Sequence, residues 1–394
     1  MNSMDAVCDD LPAEISSFVD TFVDFVVGGV FLKRESSEPD CRDQQQQHQR
    51  QQEQPSAPRT TYPQPGRLVA VGDIHGDLQK AKQSLRIAKI IDENDRWIGG
   101  NTMVVQVGDI LDRGGEELKI LYFLEKLKQE ASKSGGDLIV MNGNHEIMNM
   151  SRDFRYVTKA GFKEFENWAD WFNVGVHIKK LCNVLDDKFD AFRGIPTNLN
   201  RESRARIAAL RPGGPISTRF LASNPTILVV GDSVFVHSGV LPGHVEYGLE
   251  RINKEVGEWI RGTQGDSKPP SCVRGRDSVV WLRRYSTKSV GDGDCSVLQH
   301  ALETIPNAKR MIVGHTIQES GINGACQNRV IRIDVGMSKG CGNGMPEVLE
   351  ITRNKGVRIL TSNPLYNQAM AADDKVGLGL LVPDGPRKEV EVNA

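Results

Sequence analysis

Among its 394 residues the chain has seven cysteines and no C-x-x-C pair. An odd count without paired spacing argues against a secreted disulfide framework and for mostly reduced thiols, so a cytoplasmic location is expected. An excess of charge of one sign is also missing: 49 basic residues stand against 51 acidic ones, a net charge of −2. No global basic field exists to attract nucleic acid, and no acidic one to repel anionic partners. Nor is there a clean apolar run of the ~20 residues that a membrane span requires. The most apolar stretch, residues 15–32, is interrupted by Asp20 and Asp24. The leader lacks the basic start of a signal peptide and the arginines of a transit peptide, because Asp5, Asp9, Asp10 and Glu14 come first.

What the chain does contain falls into four stretches. In residues 1–34, Ile15, Phe18, Val19, Phe22, Val23 and Val26 keep i, i+3, i+4 spacing, which predicts an amphipathic helix. Such a helix either docks on its own chain or offers residues 15–32 to a partner or a membrane surface. It is also the alternative route to an organelle, as an unconventional address. Residues 35–66 carry a Gln-rich tract from Gln44 to Gln54 and then Pro55, Pro58, Pro63 and Pro65; they cannot bury enough apolar surface to fold and read as a disordered linker. Residues 67–362 have a globular texture, and 363–394 form a tail.

Within the globular stretch, β-branched runs at 68–71, 103–107 and 138–141 alternate with helix-like segments at 79–91 and 116–132. This is the βαβ alternation of a buried sheet, hence an α/β fold. Residues 226–230 and 233–236 flank Gly231-Asp232 as a hairpin, and 311–313 and 330–335 supply further strands. A helical segment is inserted at about 151–225. Its Phe162, Phe165, Trp168, Trp171 and Phe172 keep helical spacing and read as a core stripe.

Five short motifs follow these strand ends: Gly72-Asp73-Ile74-His75-Gly76-Asp77, Gly108-Asp109-Ile110-Leu111-Asp112-Arg113-Gly114, Gly143-Asn144-His145-Glu146, His237-Ser238-Gly239 and Gly314-His315-Thr316. Strand tips of α/β sheets are where loops converge on a rigid support, so ligands gather there. Asp, Asn and neutral His are donors for manganese, iron or zinc. Asp73 and His75 are expected on one cation, Asp109 as the bridge, and Asn144, His237 and His315 on a second. Two such cations would generate a bridging hydroxide able to attack phosphorus directly, without a phosphoenzyme. His145 is then placed to protonate the leaving oxygen, with Asp112 orienting it. Arg113 offers a planar fork to phosphoryl oxygens, and Arg283 in the Trp281-Leu282-Arg283-Arg284 run is the candidate second clamp. Cys326 and Arg332 show a Cys-x5-Arg spacing, but the residues between them include no glycine to form a phosphate cradle.

The series Gly-Asp-x-His-Gly, Gly-Asp-x-x-Asp-Arg-Gly and Gly-Asn-His-Glu resembles the signature of the PPP-type serine/threonine phosphoprotein phosphatases, over about residues 67–362. The resemblance implies the calcineurin-like metallophosphoesterase fold, a βαβαβ sandwich. It also implies two divalent ions, Mn or Fe/Zn, and the same ligand, acid and clamp roles. The family's bacterial members carry a clamp two residues after a Trp, which matches Trp281 and Arg283. The Ser-Ala-Pro-Asn-Tyr-Cys loop of the common eukaryotic members is replaced here by residues 333–341. With the Gly-His-Thr motif and the insertion beginning at Asp153, the chain is similar to the Shewanella-like branch. That branch implies weak inhibition by microcystin or okadaic acid, and it loosens the preference for phosphoserine and phosphothreonine over phosphotyrosine. The expected function is hydrolysis of phosphoprotein monoesters. A small-molecule phosphoesterase, such as a dinucleoside tetraphosphate hydrolase, shares the ligand set; a catalytically weak docking module would not need it complete.

Overall fold

The apolar runs of the sequence become strands of two six-stranded mixed sheets. The computed structural model describes residues 3–29, 57–263, 265, 268–287, 290–353, 356–363 and 380–386. In one sheet β2 (Arg67–Val71), β3 (Met103–Gln106) and β4 (Asp137–Val140) run parallel, with Leu68 opposite Met103 and Met103 opposite Asp137. The sheet continues from β2 into antiparallel β10 (Glu347–Thr352), β11 (Gly356–Thr361) and β12 (Leu380–Leu381). The second sheet has the order β1 (Thr61–Tyr62), β5 (Ile227–Val230), β6 (Ser233–Val236), β7 (Arg310–Val313), β9 (Val330–Arg332) and β8 (Asn323–Ala325). Side chains from both sheets join one buried cluster.

Helices Leu78–Ile87 and Glu117–Lys133 connect the three parallel strands. Asp77 sets the start of the first of these by accepting the Lys80 N–H at 3.2 Å, an N-cap at the end of the first motif. The inserted segment holds a long helix, Lys159–Leu181, and a shorter one, Arg201–Leu210. Phe165 and Trp168 are buried and Phe172 packs against the core, as a core stripe should, whereas Trp171 is exposed and meets Phe22 edge-on.

The N-terminal helix spans Ser3–Gly28 and lies against the long insertion helix. Val19 and Val23 are buried there, and Gly175 gives them room, since a Cβ at that position would sit 3.1 Å from both. Buried Asp24 forms a two-pronged ion pair with Arg219 at 2.6 and 2.8 Å. The docked reading of this helix therefore describes its inner face, while Phe18 and Phe25 remain exposed. Among the described residues no helix is long and apolar enough to cross a membrane.

Several expectations need correction. Residues 57–66 are not linker: β1 pairs in parallel with β5, and Thr60 is buried. Residues 35–56 lie outside the described ones, as do 364–379 and 387–394 of the tail, but residues 380–386 add β12. The strand expected at 330–335 ends at Arg332. Strand β10 shows no alternating pattern because it is buried on both faces and contains Glu347 and Glu350. Glu350 is tolerated there because Arg67 and Arg358 both pair with it. The expectation of mostly reduced thiols holds for three of the five cysteines whose side chains are described. Cys295 and Cys326 form a disulfide with a Cα–Cα distance of 5.3 Å, while Cys182, Cys272 and Cys341 are free. The partners are 31 residues apart, on helix Asp292–Thr304 and in the turn after β8, a proximity that no local spacing announces.

Candidate active site

All five motifs leave strand ends and meet where the two sheets share one core. The turns are tight: His75, Asp109, Asp112, Arg113 and His315 have φ between 48° and 70°, the left-handed region that non-glycine residues rarely adopt. Five such residues in one place mark a backbone held by its surroundings to aim side chains inward. Glycines let the loops approach. A Cβ on Gly143 would lie 2.3 Å from Asp109 Oδ1, and one on Gly314 2.2 Å from Asp73 Oδ1. Glu146, to which the sequence reading gave no role, ties the second and third motifs together. Its buried carboxylate accepts the N–H groups of Asp109, Ile110, Leu111 and Gly143 at 2.7–3.1 Å.

Asp109 is the centre. Its Oδ2 lies 3.2 Å from His237 Nε2, 3.7 Å from His75 Nε2 and 3.8 Å from His145 Nε2. Two buried clusters share this carboxylate, one with His75 and His145 and the other with His237 and His315. Backbone carbonyls orient two of the imidazoles: Val107 O faces His237 Nδ1 and Leu111 O faces His75 Nδ1, each at 3.0 Å. A carbonyl can only accept, so each Nδ1 carries the hydrogen and each Nε2 is left as a donor atom toward the cluster. Asn144 Oδ1 lies 2.9 Å from His237 Nε2, and Asp73 accepts the His315 backbone N–H at 3.1 Å.

The electrostatics fit a cation. Burial pulls the His237 imidazole down, but Asp109 and Asp73 outweigh it and push it up to about 10. Burial pushes the Asp73 carboxyl well above its ordinary range, with Asp334 adding to the shift. The Asp109 carboxyl is held well below the ordinary range, since His237 and His145 more than offset its burial. Burial takes the His75 imidazole down to about 4 and the His315 imidazole well below its ordinary value. His315 Nε2 is buried with no hydrogen-bond partner. Carboxylates crowded together in a buried cluster, beside an imidazole nitrogen without a partner, suit divalent cations, whose charge would offset that crowding.

Beside the cluster, His145 Nδ1 and Asp112 Oδ2 are 2.6 Å apart, both groups buried. Burial lowers the His145 imidazole, but Asp109 and Asp112 together raise it. Arg113 lies with its guanidinium 4.6 Å from the centroid of the Tyr156 ring and its Nε without a partner; among the described residues no carboxylate pairs with it. The same Tyr156 ring sits 5.2 Å from that of His145. Tyr156 thus adjoins both His145 and Arg113, a placement the sequence reading missed although it noted the segment. Arg283 is exposed and donates to Thr316 Oγ1 at 2.9 Å, which places it beside the fifth motif, with Trp281 edge-on to His315. The Cys326–Arg332 lead ends here, because the Cys326 sulfur is in the disulfide and Arg332 is buried against Asn323, Gly324 O and Thr287 O.

Comparison with known proteins agrees with this geometry. The calcineurin-like phosphoesterase family profile matches residues 66–207. The chain is 56% identical to Shewanella-like protein phosphatase 2 of Arabidopsis thaliana across 98% of both chains. It is 31% identical to Shewanella-like protein phosphatase 1 of Plasmodium berghei, over 71% of this chain and 70% of that one. Among solved structures, a cold-active protein-tyrosine phosphatase of a psychrophilic Shewanella shares the fold with a TM-score of 0.55 at 23% identity, over 77% of this chain and 80% of the other. The chain belongs to the Shewanella-like protein phosphatases and is a hydrolase on the calcineurin-like metallophosphoesterase fold.

Proposed function

We propose that this phosphatase hydrolyses phosphate monoesters on protein side chains, phosphoserine and phosphothreonine first and phosphotyrosine as well. The observation that carries this reading is the buried His145–Asp112 pair at 2.6 Å, beside an unpaired Arg113 and a cluster built on Asp109. A serine or threonine alkoxide is a poor leaving group and needs a proton as the P–O bond breaks, whereas a phenolate leaves with less help. His145 gives that proton, Asp112 holds its ring, and Arg113 binds the phosphoryl oxygens with a fork set on Tyr156; Arg283, beside the fifth motif, is the second clamp. Asp73, His75, Asp109, Asn144, His237 and His315 hold two divalent ions. When bound, those ions supply positive charge to the phosphoryl group and acidify the attacking water. Manganese or an iron–zinc pair suits such donors, and elemental analysis of protein from its native source identifies which.

The deciding assay compares matched phosphoserine, phosphothreonine and phosphotyrosine peptides with a dinucleoside tetraphosphate on Mn-loaded full-length protein. Turnover confined to the dinucleotide would overturn the reading. For location, the Cys295–Cys326 bridge supports the organellar alternative over the cytoplasm, because disulfides persist in oxidising compartments. Recovery of the native protein in the cytosolic fraction with both thiols reduced would reverse that choice.

A further inference from the structure

We infer that Arg206, carried in by the helical insertion, is the positioning residue of the proton-donating pair; this rests on His145 being the acid of the proposed reaction. Arg206 is fully buried, a setting that arginine occupies only when paired. Its guanidinium serves three side chains at once. Nε donates to Asn149 Oδ1 at 2.7 Å, Nη1 to Glu117 Oε1 at 3.2 Å, and Nη2 to both Glu117 Oε2 at 2.6 Å and Asp112 Oδ1 at 3.1 Å. Phe165 lies under the group at 4.5 Å from ring centroid to guanidinium carbon, with Phe154 and Phe162 at 5.9 Å. Aromatic faces on a desolvated cation fix its plane as well as its place.

The consequence falls on Asp112. Its two oxygens are divided: Oδ2 meets His145 Nδ1, and Oδ1 is pinned by Arg206 and by Asn149 Nδ2, the latter at 2.9 Å. The terminal torsion of an aspartate is broad and soft, so without those anchors the carboxylate could turn its oxygens away from the imidazole. Asn149 completes the frame by also donating to the His145 carbonyl at 2.9 Å, one helical turn on. Glu117 holds Arg206 through two contacts, at 2.6 and 3.2 Å, against the single one of 3.1 Å to Asp112, so the guanidinium is anchored independently of the carboxylate it restrains. The anchor comes from 94 residues beyond Asp112. The insertion therefore builds one side of the catalytic apparatus, and is not confined to lining its mouth.

A merely structural arginine would affect every substrate alike; a positioning residue for the acid would not. The test uses full-length Mn-loaded protein and follows kcat and KM on 4-nitrophenyl phosphate, phenyl phosphate and a phosphoserine peptide, with metal content measured in each variant. R206K keeps the charge but not the three-way fork. It should lose ~10–100-fold in kcat on the phosphoserine peptide and phenyl phosphate, less than ~3-fold on 4-nitrophenyl phosphate, and keep KM and both metals. The double variant R206M/E117L removes the buried pair together and should show the same split, enlarged. Equal losses across the leaving groups, or no loss, would overturn the inference. Should both Arg206 variants fail to fold, N149A removes the second pin on Asp112 while the Arg206–Glu117 pair stays. It should show a smaller split of the same kind, and a uniform loss there overturns the inference too. H145N is the control for the underlying reading. A leaving-group split in H145N without one in R206K sinks Arg206 alone, whereas no split in H145N removes His145 as the acid.

Discussion

The proposed metal-facing and acid-facing halves of the site are built by different means, although they share Asp109 and lie side by side. Donors of the metal half come from loops at strand ends and are aimed largely by backbone: Val107 O on His237, Leu111 O on His75, and the Glu146 carboxylate on four N–H groups of the second and third motifs. The acid half is a relay of buried side chains, His145 to Asp112 to Arg206 to Glu117, with Asn149 bracing it. Backbone support is hard to remove by substitution. A buried side-chain network fails when any member is left unsatisfied. The metal half should therefore respond to loss of its own donors and little else, and the acid half to changes well outside the motifs.

The largest expected effect is at the shared carboxylate. D109N removes charge common to both clusters and should lose metal and at least ~10³-fold in activity, read by elemental analysis beside kcat. Next comes H145N, which should keep both metals and lose ~10²–10⁴-fold on phosphoserine substrates. His145 Nε2 is as close to Asp109 as His75 Nε2 is, so this variant separates acid from ligand. Metal loss equal to that of D109N would make His145 a donor and merge the two halves. The clamps should differ by less. R113A, which strips the fork set on Tyr156, should lower kcat/KM by ~10–100-fold, while exposed Arg283, tied to Thr316, should cost R283A no more than ~10-fold. A reversed order would exchange their roles.

This difference in construction also explains what the sequence could disclose. Six candidate donors, the acid pair and the first clamp sit in contiguous motifs, where residue type and spacing carry the chemistry on their own. Arg206 could not be read, because its partners lie 57, 89 and 94 residues away and a lone arginine on a polar-looking helix signals solvent. Tyr156 was visible only as part of a segment, with nothing local to aim its ring at Arg113. Strand β10 hides its glutamates among partners from distant strands, and the Cys295–Cys326 bridge depends on a turn that spacing does not show. Only the proline-rich stretch at 57–66 misled through its composition, because two of its residues find an edge strand to pair with.

The smallest effect tests whether the acid half carries a pH liability in its support. Glu164 accepts the Leu118 and Lys119 N–H groups at the start of helix Glu117–Lys133, and although part of the residue reaches the surface its carboxyl is enclosed. Burial, and then the neighbouring Glu117, push that carboxyl up to about 8. A carboxyl raised on folding binds its proton more tightly in the folded state, so its contribution is full below the unfolded value of about 4.5 and declines as pH rises toward 8. Over that window stability should fall by on the order of 1 kcal/mol per pH unit from this group, then level off. E164Q carries no proton to lose. Its stability relative to the parent should climb between pH 5 and pH 8, measured by urea unfolding at pH 5, 7 and 9, with kcat on 4-nitrophenyl phosphate unchanged. Parallel stability curves for E164Q and the parent would show that Glu164 is ionised in both states, and the acid half would then rest on Arg206 and Glu117 without a pH-sensitive neighbour.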